Sequence, residues 1–334
     1  VDNFFFRFSD LPSYSNYGST GLIQNPNARF NKAGSIAFSW SHNEPYLRGS
    51  FIAYPFDWFE ASYQYTDVNN ALYSENRAFS GSQSFKDKSF DAKIRLLRER
   101  RFIPSIALGF RDMAGTGLFS SEYIVASKFI NNMDISLGLG WGNMNANKIN
   151  NPLYSLDDSF RTRSGYEGLG GEFSASSFFS GDAGYFAGVE YFYPSIRNLR
   201  LKLEYDATNY VNEAFIPLPQ KSKFNFGITY PVNKNFQFKL SHVRGNEINF
   251  GFSFTGFYAD RNPFFKKSDP YKGMTQERSD AIKRVVNKED RLMYLASLRY
   301  LNERDIFLQA AEVNRKDKTY KIAYQQTKFI SQSM

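Results

Sequence analysis

Six carboxylates (Glu60, Asp91, Glu122, Glu190, Glu204, Asp206) and seven cations (Lys93, Arg95, Arg111, Lys128, Arg200, Lys202, Lys239) fall among alternating Phe, Tyr, Leu and Ile. Three chemistries use such a set. Two carboxyls about 5–9 Å apart could hydrolyse a glycosidic bond. A file of mixed charge could pass a sugar or an anion. The same charges could instead pair with one another and fill a narrow space. Zero cysteine excludes disulfide scaffolds, thiolate metal sites and cysteine nucleophiles. His42 and His242 have no identifiable third ligand, so no metal and no cofactor is expected. Gly138-Leu-Gly140-Trp-Gly142 imitates part of a nucleotide-binding glycine signature, but it lies inside a strand pattern with no helix after it.

The elements that must position these charges have the strand period. In 199–206, Leu, Leu, Leu and Tyr alternate with Arg, Lys, Glu and Asp; 59–66, 91–96, 224–230 and 248–254 repeat the arrangement. Aromatic residues make up 18% of the chain, mean hydropathy is −0.48, and no apolar run approaches the roughly 18 residues of a spanning helix. A helical membrane protein is therefore excluded. The formal charge is +8, yet basic residues are interleaved with acidic ones and form no patch of their own, so no nucleic-acid partner is expected.

Alternation alone fits either a soluble sandwich or a transmembrane barrel, and connection lengths separate them. Strands are predicted near 33–43, 47–54, 58–67, 87–97, 103–111, 121–130, 133–142, 184–193, 198–206, 222–230, 235–243 and 247–257. Connections at 55–57, 98–101, 131–132, 194–197 and 231–234 are short; the other class holds the long stretches 68–86, 112–120, 143–183 and 207–221, with 44–46 and 244–246 brief. Short turns at one rim and long loops at the other describe an outer-membrane, up-and-down antiparallel β-barrel of about 12 strands. An even strand count returns both termini to the short-turn, periplasmic side. Tyr54, Trp58, Tyr191, Tyr193 and Tyr230 would form an aromatic girdle there. Ser136, Gly138, Gly140 and Gly142 would leave room inside the barrel.

The predicted organisation is therefore a periplasmic or plug segment (1–32), a barrel (33–258), a linker (259–274) and a small α+β periplasmic module (275–334). Within the module, helical spacing covers 275–288 and 290–303, and strands follow at 306–313 and 319–323.

Several strings resemble the YjbH family of outer-membrane proteins encoded with exopolysaccharide biosynthesis genes. They include Gly18-Ser-Thr-Gly21-Leu-Ile-Gln-Asn-Pro26-Asn-Ala-Arg29, Pro55-Phe-Asp-Trp58-Phe-Glu-Ala-Ser-Tyr63-Gln-Tyr65 and Lys88-Ser-Phe-Asp91-Ala-Lys93. Further along come Ala107-Leu-Gly-Phe-Arg111-Asp112, Gly115-Thr-Gly117-Leu-Phe-Ser-Ser-Glu122-Tyr123, Phe178-Phe-Ser-Gly181 and Gly188-Val-Glu190-Tyr191. The last are Leu199-Arg-Leu-Lys-Leu-Glu204-Tyr-Asp206 and Arg244-Gly245-Asn246 leading into Phe250-Gly-Phe-Ser-Phe254. The resemblance runs from about residue 18 to 256 in family order, and more loosely over 292–329. It implies a Gram-negative outer-membrane location and a link to extracellular polysaccharide, and it carries over no catalytic residue. Members are often lipoproteins anchored through an N-terminal cysteine, which this chain lacks, and they are longer, so the likeness is to their N-terminal half.

The expected function is a non-catalytic outer-membrane barrel assisting exopolysaccharide biosynthesis, export or surface retention. Its partners would be outer-membrane lipid, polysaccharide and other envelope proteins of an export system. The alternative is a passive porin-like channel for small polar or anionic solutes. All thirteen charged residues above are lumen-lining candidates. Trp141, Tyr154 and Tyr166, in or beside the long loop 143–183, are candidates for sugar contact, and that loop could instead fold inward as a plug.

Overall fold

The computed structural model describes residues 11–163, 177–196, 199–211, 217–257, 275–286, 289–302 and 306–326. Residues 1–10 and the expected linker at 259–274 lie outside the described residues. The chain divides into two units, Val1–Ala259 and Asp260–Met334.

The first unit contains strands β1 Ser35–Asn43, β2 Tyr46–Phe56, β3 Phe59–Leu72, β4 Ser84–Leu97, β5 Ser105–Arg111, β6 Ser121–Ile130 and β7 Met133–Gly140. It continues through the two-residue β8 Lys148–Ile149, then β9 Ala183–Phe192, β10 Arg200–Tyr205, β11 Phe224–Pro231, β12 Phe236–Val243 and β13 Glu247–Phe257. A single helical turn, α1 Arg77–Ser80, interrupts the loop after β3. Apart from β8, which adds to the edge of β9, each strand pairs antiparallel with its sequence neighbours. β13 pairs with β1 from Ser35↔Phe257 to His42↔Phe250, so the twelve long strands close into a barrel with no free edge.

Closure puts odd and even positions on opposite surfaces, and here the polar set is the buried one. Ser50, Gln64, Asp91, Lys93, Glu190, Arg200, Lys202 and Glu204 are buried, while Phe51, Leu137, Leu203, Phe226, Phe250 and Ile248 are exposed. A soluble fold buries its apolar face; this inversion is that of a barrel whose outside meets hydrocarbon. Outward rings pack across strands, with Phe38–Phe51 centroids 5.1 Å apart and Trp40 stacked on Phe252 at 5.5 Å.

At the short-turn rim, Trp58 and Tyr230 are half exposed, and Trp58 stacks on Phe56 at 5.3 Å. Tyr54 does not join this girdle. It shares inward parity with Ser50 and Ile52 and is 1% exposed. The inward glycines leave space that is used: a Cβ at Gly138 would strike the Phe186 ring, and one at Gly140 would strike Met144.

The second unit holds α2 Gln276–Val286, α3 Asp290–Asn302, β14 Ile306–Asn314 and β15 Thr319–Gln326. The two strands form an antiparallel hairpin. Ile306 and Leu308 are buried, Tyr320 Oη donates to Ser297 Oγ at 3.0 Å, and Arg315 pairs with Asp290 at 2.6 Å.

Candidate functional site

The barrel interior is filled from the N-terminal side of the chain. Residues 12–28, rich in Ser, Asn, Gly and Thr, are buried. They fold on themselves through the bridges Tyr14↔Thr20 and Gly21↔Pro26. The turn closed by the first bridge needs Gly18, at φ 84°, where a Cβ would lie 2.3 Å from Ser50 Oγ. Part of its backbone bonds within the segment, as from Asn16 N to Ile23 O at 2.7 Å and Leu22 N to Asn25 O at 2.8 Å, and the barrel wall takes up other peptide groups.

Glu204 accepts the backbone N–H groups of Ile23, Gln24 and Asn25 at 2.9, 2.8 and 3.1 Å, and Asn225 Nδ2 at 2.9 Å. Glu60 accepts Thr20 N at 3.3 Å and Thr20 Oγ1 at 2.9 Å, and pairs with Lys93 at 3.1 Å. The cations take the carbonyls. Lys202 donates to Leu22 O at 2.8 Å, Lys239 to Ser15 O at 2.8 Å, Arg111 to Gln24 O at 2.8 Å, Arg200 to Leu11 O at 2.7 Å and Lys93 to Arg29 O at 3.0 Å. Glu190 accepts the Ser13 hydroxyl and lies 3.6 Å from Arg200 and 3.8 Å from Lys202. Arg95 stacks 4.4 Å over the plug's Phe30. Asp206 accepts Tyr210 Oη at 2.7 Å and Asn225 Nδ2 at 3.0 Å; Asp91 accepts Asp112 N at 2.8 Å. Eleven of the thirteen charged candidates thus lie on the inner face, most of them spent on the plug.

Two do not. Glu122 has the parity of Ile124 and Ala126, opposite to Tyr123 and Val125, and faces outward. It is buried because the long loop folds over it: Arg163 donates at 2.7 and 2.9 Å, and Phe179 N at 2.9 Å. Lys128 also faces outward, at the short-turn rim, where it pairs with Glu99 at 3.0 Å. Both sit near strand ends, where an outward charge finds a partner beyond the hydrocarbon.

The long loop divides between two tasks. Met144 enters the lumen mouth and packs with Ala28, Ala107, Tyr123 and Phe186. Phe178 and Phe179 instead cover the outward ring of Phe110, at 5.2 and 5.7 Å. The plug is therefore the N-terminal segment, joined at the lumen mouth by Met144 from the start of the loop. Trp141 is 4% exposed against Phe179, so it offers no face for a sugar. Tyr154 is half buried, with its hydroxyl 3.3 Å from Asp182 and Arg161 5.5 Å from its ring. Tyr166 lies outside the described residues. His42, paired with Glu44 at 3.3 Å, and His242 are both outward, and among the described residues no cluster of three or more His, Asp or Glu is arranged to hold a metal.

Several charged residues escaped the sequence reading. Arg29 of the plug forks onto Asp134 and meets Glu99 at 2.5 Å. Burial alone would lower the Arg29 pKa, but these two carboxylates hold it above the ordinary value. Asp134 has the parity of Ser136 and Gly138, so its facing was available from alternation; Arg29, in an aperiodic stretch, carried no signal. Arg48 is buried with its guanidinium 4.0 Å over Tyr46 and 4.5 Å over Tyr17.

The YjbH family model, described as "Exopolysaccharide biosynthesis protein YbjH", matches residues 13–334. The chain is similar to the "Uncharacterized lipoprotein YjbH" of Escherichia coli (strain K12), 41% identical over 255 residues, covering 76% of this chain and 36% of that protein. It thus spans little more than a third of that relative's length. Among solved structures, the KdgM porin is similar with TM-score 0.35 and 10% identity, covering 66% of this chain and 98% of that one. The NanC porin gives TM-score 0.33 and 7% identity, covering 67% and 98%.

Proposed function

Because the chain belongs to the YjbH family of exopolysaccharide biosynthesis proteins, we propose that it is a plugged outer-membrane barrel assisting the export or surface retention of an exopolysaccharide without catalysing a reaction on it. The observation that carries this reading is the use made of the lumen charges. Glu60, Glu204, Lys93, Lys202 and Lys239 hold the plug backbone, Glu190 holds the Ser13 hydroxyl, and all six are turned away from solvent. A hydrolase would need two carboxyls facing a substrate-sized space, whereas Glu204 and Asp206 share Asn225 as a donor inside the packed interior.

β1 begins and β13 ends at the short-turn rim. With the long loops outside the cell, both chain ends of the barrel are periplasmic, where other envelope proteins of the export system are the expected partners. Deletion of the gene in its host tests the reading. Secreted polysaccharide should change in amount, chain length or surface retention; an unchanged product in all three respects overturns it. A passive channel for small polar solutes would require the plug to leave, and planar-bilayer recording separates the two. Silence supports the plugged barrel, and stable stepwise openings of the unaltered protein support a channel.

A further inference from the structure

A cavity of about 1180 Å³ lies at the short-turn mouth of the barrel, between the plug and the turns after β4 and β6. That is slightly larger than the common range of small-ligand pockets. Its walls are apolar, formed by Leu11, Phe30, Phe102, Pro104, Phe129 and Phe192. Phe129 stands opposite Asp134 and Phe192 opposite Arg200 in their ladders, which puts both rings on the lumen face. They meet edge to face at 5.4 Å. These rings place the cavity at the lumen mouth, with Lys128 and Ile130, of outward parity, at its outer lip.

Its charge is uneven. Five cations line it against three carboxylates, Glu99, Asp134 and Glu190. The carboxylates are all engaged: Glu99 and Asp134 hold Arg29, Glu99 also holds Lys128, and Glu190 holds Arg200. Arg100 and Arg101 are exposed at the lip, and neither guanidinium has an acceptor among the described residues. Beside them Phe102 is 84% exposed, with the Arg101 guanidinium 5.1 Å over its ring and the rest of the ring open to solvent. Guanidinium forks without a carboxylate match carboxylates in a bidentate way, and exposed rings match the apolar faces of a sugar.

We propose that this vestibule binds a segment of acidic polysaccharide, with Arg100 and Arg101 taking its carboxylates and Phe102 and Phe129 lying against its rings. The inference rests on the proposed role in polysaccharide handling and adds a location and a ligand class to it. Two arginines without a carboxylate partner beside exposed rings favour a polyuronate over a neutral glycan, which would leave the cations unused.

The test is calorimetric titration of the full chain in detergent with three probes: a mannuronic acid hexamer, maltohexaose and hexaglutamate. The mannuronate hexamer should bind and the other two should bind at least tenfold more weakly. Arg100→Gln with Arg101→Gln should lower its affinity about tenfold or more, as expected for losing charge-assisted bonds. Phe102→Ala should lower it about threefold, and Arg161→Gln, at the opposite rim, should leave it unchanged. Fold retention is checked by heat-modifiable migration, and all four positions are exposed. Equal binding of hexaglutamate would make the site a peptide or general anion site and overturn the proposal, as would equal binding of maltohexaose, no binding, or an unaffected double variant. The two readings fail separately. If gene deletion alters the polysaccharide but the double variant restores it fully and mannuronate does not bind, only the vestibule is wrong. If mannuronate binds through Arg100 and Arg101 while deletion changes nothing, only the cellular role is wrong.

Discussion

Arg29 and Asp134 meet as a two-bond fork, Nε to Oδ2 at 2.8 Å and Nη2 to Oδ1 at 2.6 Å, and this fork fastens the end of the plug to the inner face of β7. Asp134→Ala leaves the guanidinium with Glu99 alone. Removing one partner of a buried pair costs roughly 3–5 kcal/mol, and with Arg29 partly exposed the loss should fall at the low end. The measurement is the temperature at which the compact, heat-modifiable band disappears on gels. Arg29→Met combined with Asp134→Leu should recover part of the loss; a double variant weaker than Asp134→Ala would contradict an account based on the stranded charge.

Glu204 offers its two oxygens to three consecutive plug N–H groups. Glu204→Gln replaces one acceptor with an NH₂ that would face a donor. The plug should loosen without loss of the barrel, and brief openings should appear in planar bilayers where the unaltered protein is silent. Deleting residues 12–28 should give larger, stepwise conductance. A closed lumen after that deletion would show that something other than the plug blocks it.

On the outer face, Leu201 is 37% exposed beside Leu203. Leu201→Arg sends a charge into hydrocarbon, at about 2–4 kcal/mol near the midplane, and should slow or prevent folding into lipid vesicles, whereas Leu201→Phe should be tolerated. If residues 33–257 purify as a soluble monomer without detergent, the membrane assignment fails.

Most of the wall was legible because strand alternation survives in the letters. Leu199 to Asp206 alternates cleanly, and its register with β9 follows from a short turn. The plug was not legible in detail. Residues 12–28 are buried by hydrogen bonding to charged groups instead of by apolar area, so no hydrophobic periodicity marks them. Glu122 and Lys128 were placed inside on charge alone, against the parity of Tyr123 and Val125. Near a rim, where loops and turns supply partners, charge is a poor guide to facing.

Asp112, just past β5 at the long-loop end, has φ 49° and is buried. Burial, then the charge of Asp87, pushes its carboxyl up to about 8. In the unfolded chain it ionises near pH 4. Between about pH 4 and 8 the unfolded state gives up a proton that the folded state keeps, so this group lowers stability as pH rises and its effect levels off above about 8. Asp112→Asn keeps an acceptor for Phe119 N, 3.1 Å away, and Asn tolerates positive φ. The stability gain of Asp112→Asn should grow from pH 5 to 8 and then flatten in thermal unfolding. A gain independent of pH would mean that Asp112 is ionised in the folded protein.

The plug precedes every strand that grips it, and this orders the protein's assembly. Lys239 is 224 positions from its partner Ser15, and Glu204 is 180 positions from Gln24. Neither bond can form until most of the wall has been synthesised, although the segment they hold is made first. Contacts of such long sequence separation are slow to establish. A barrel that closed before its plug was seated would trap unpaired Glu204, Lys202 and Lys239 inside. A seated plug removes that cost, so closure of β13 onto β1 is favoured with residues 12–28 in place.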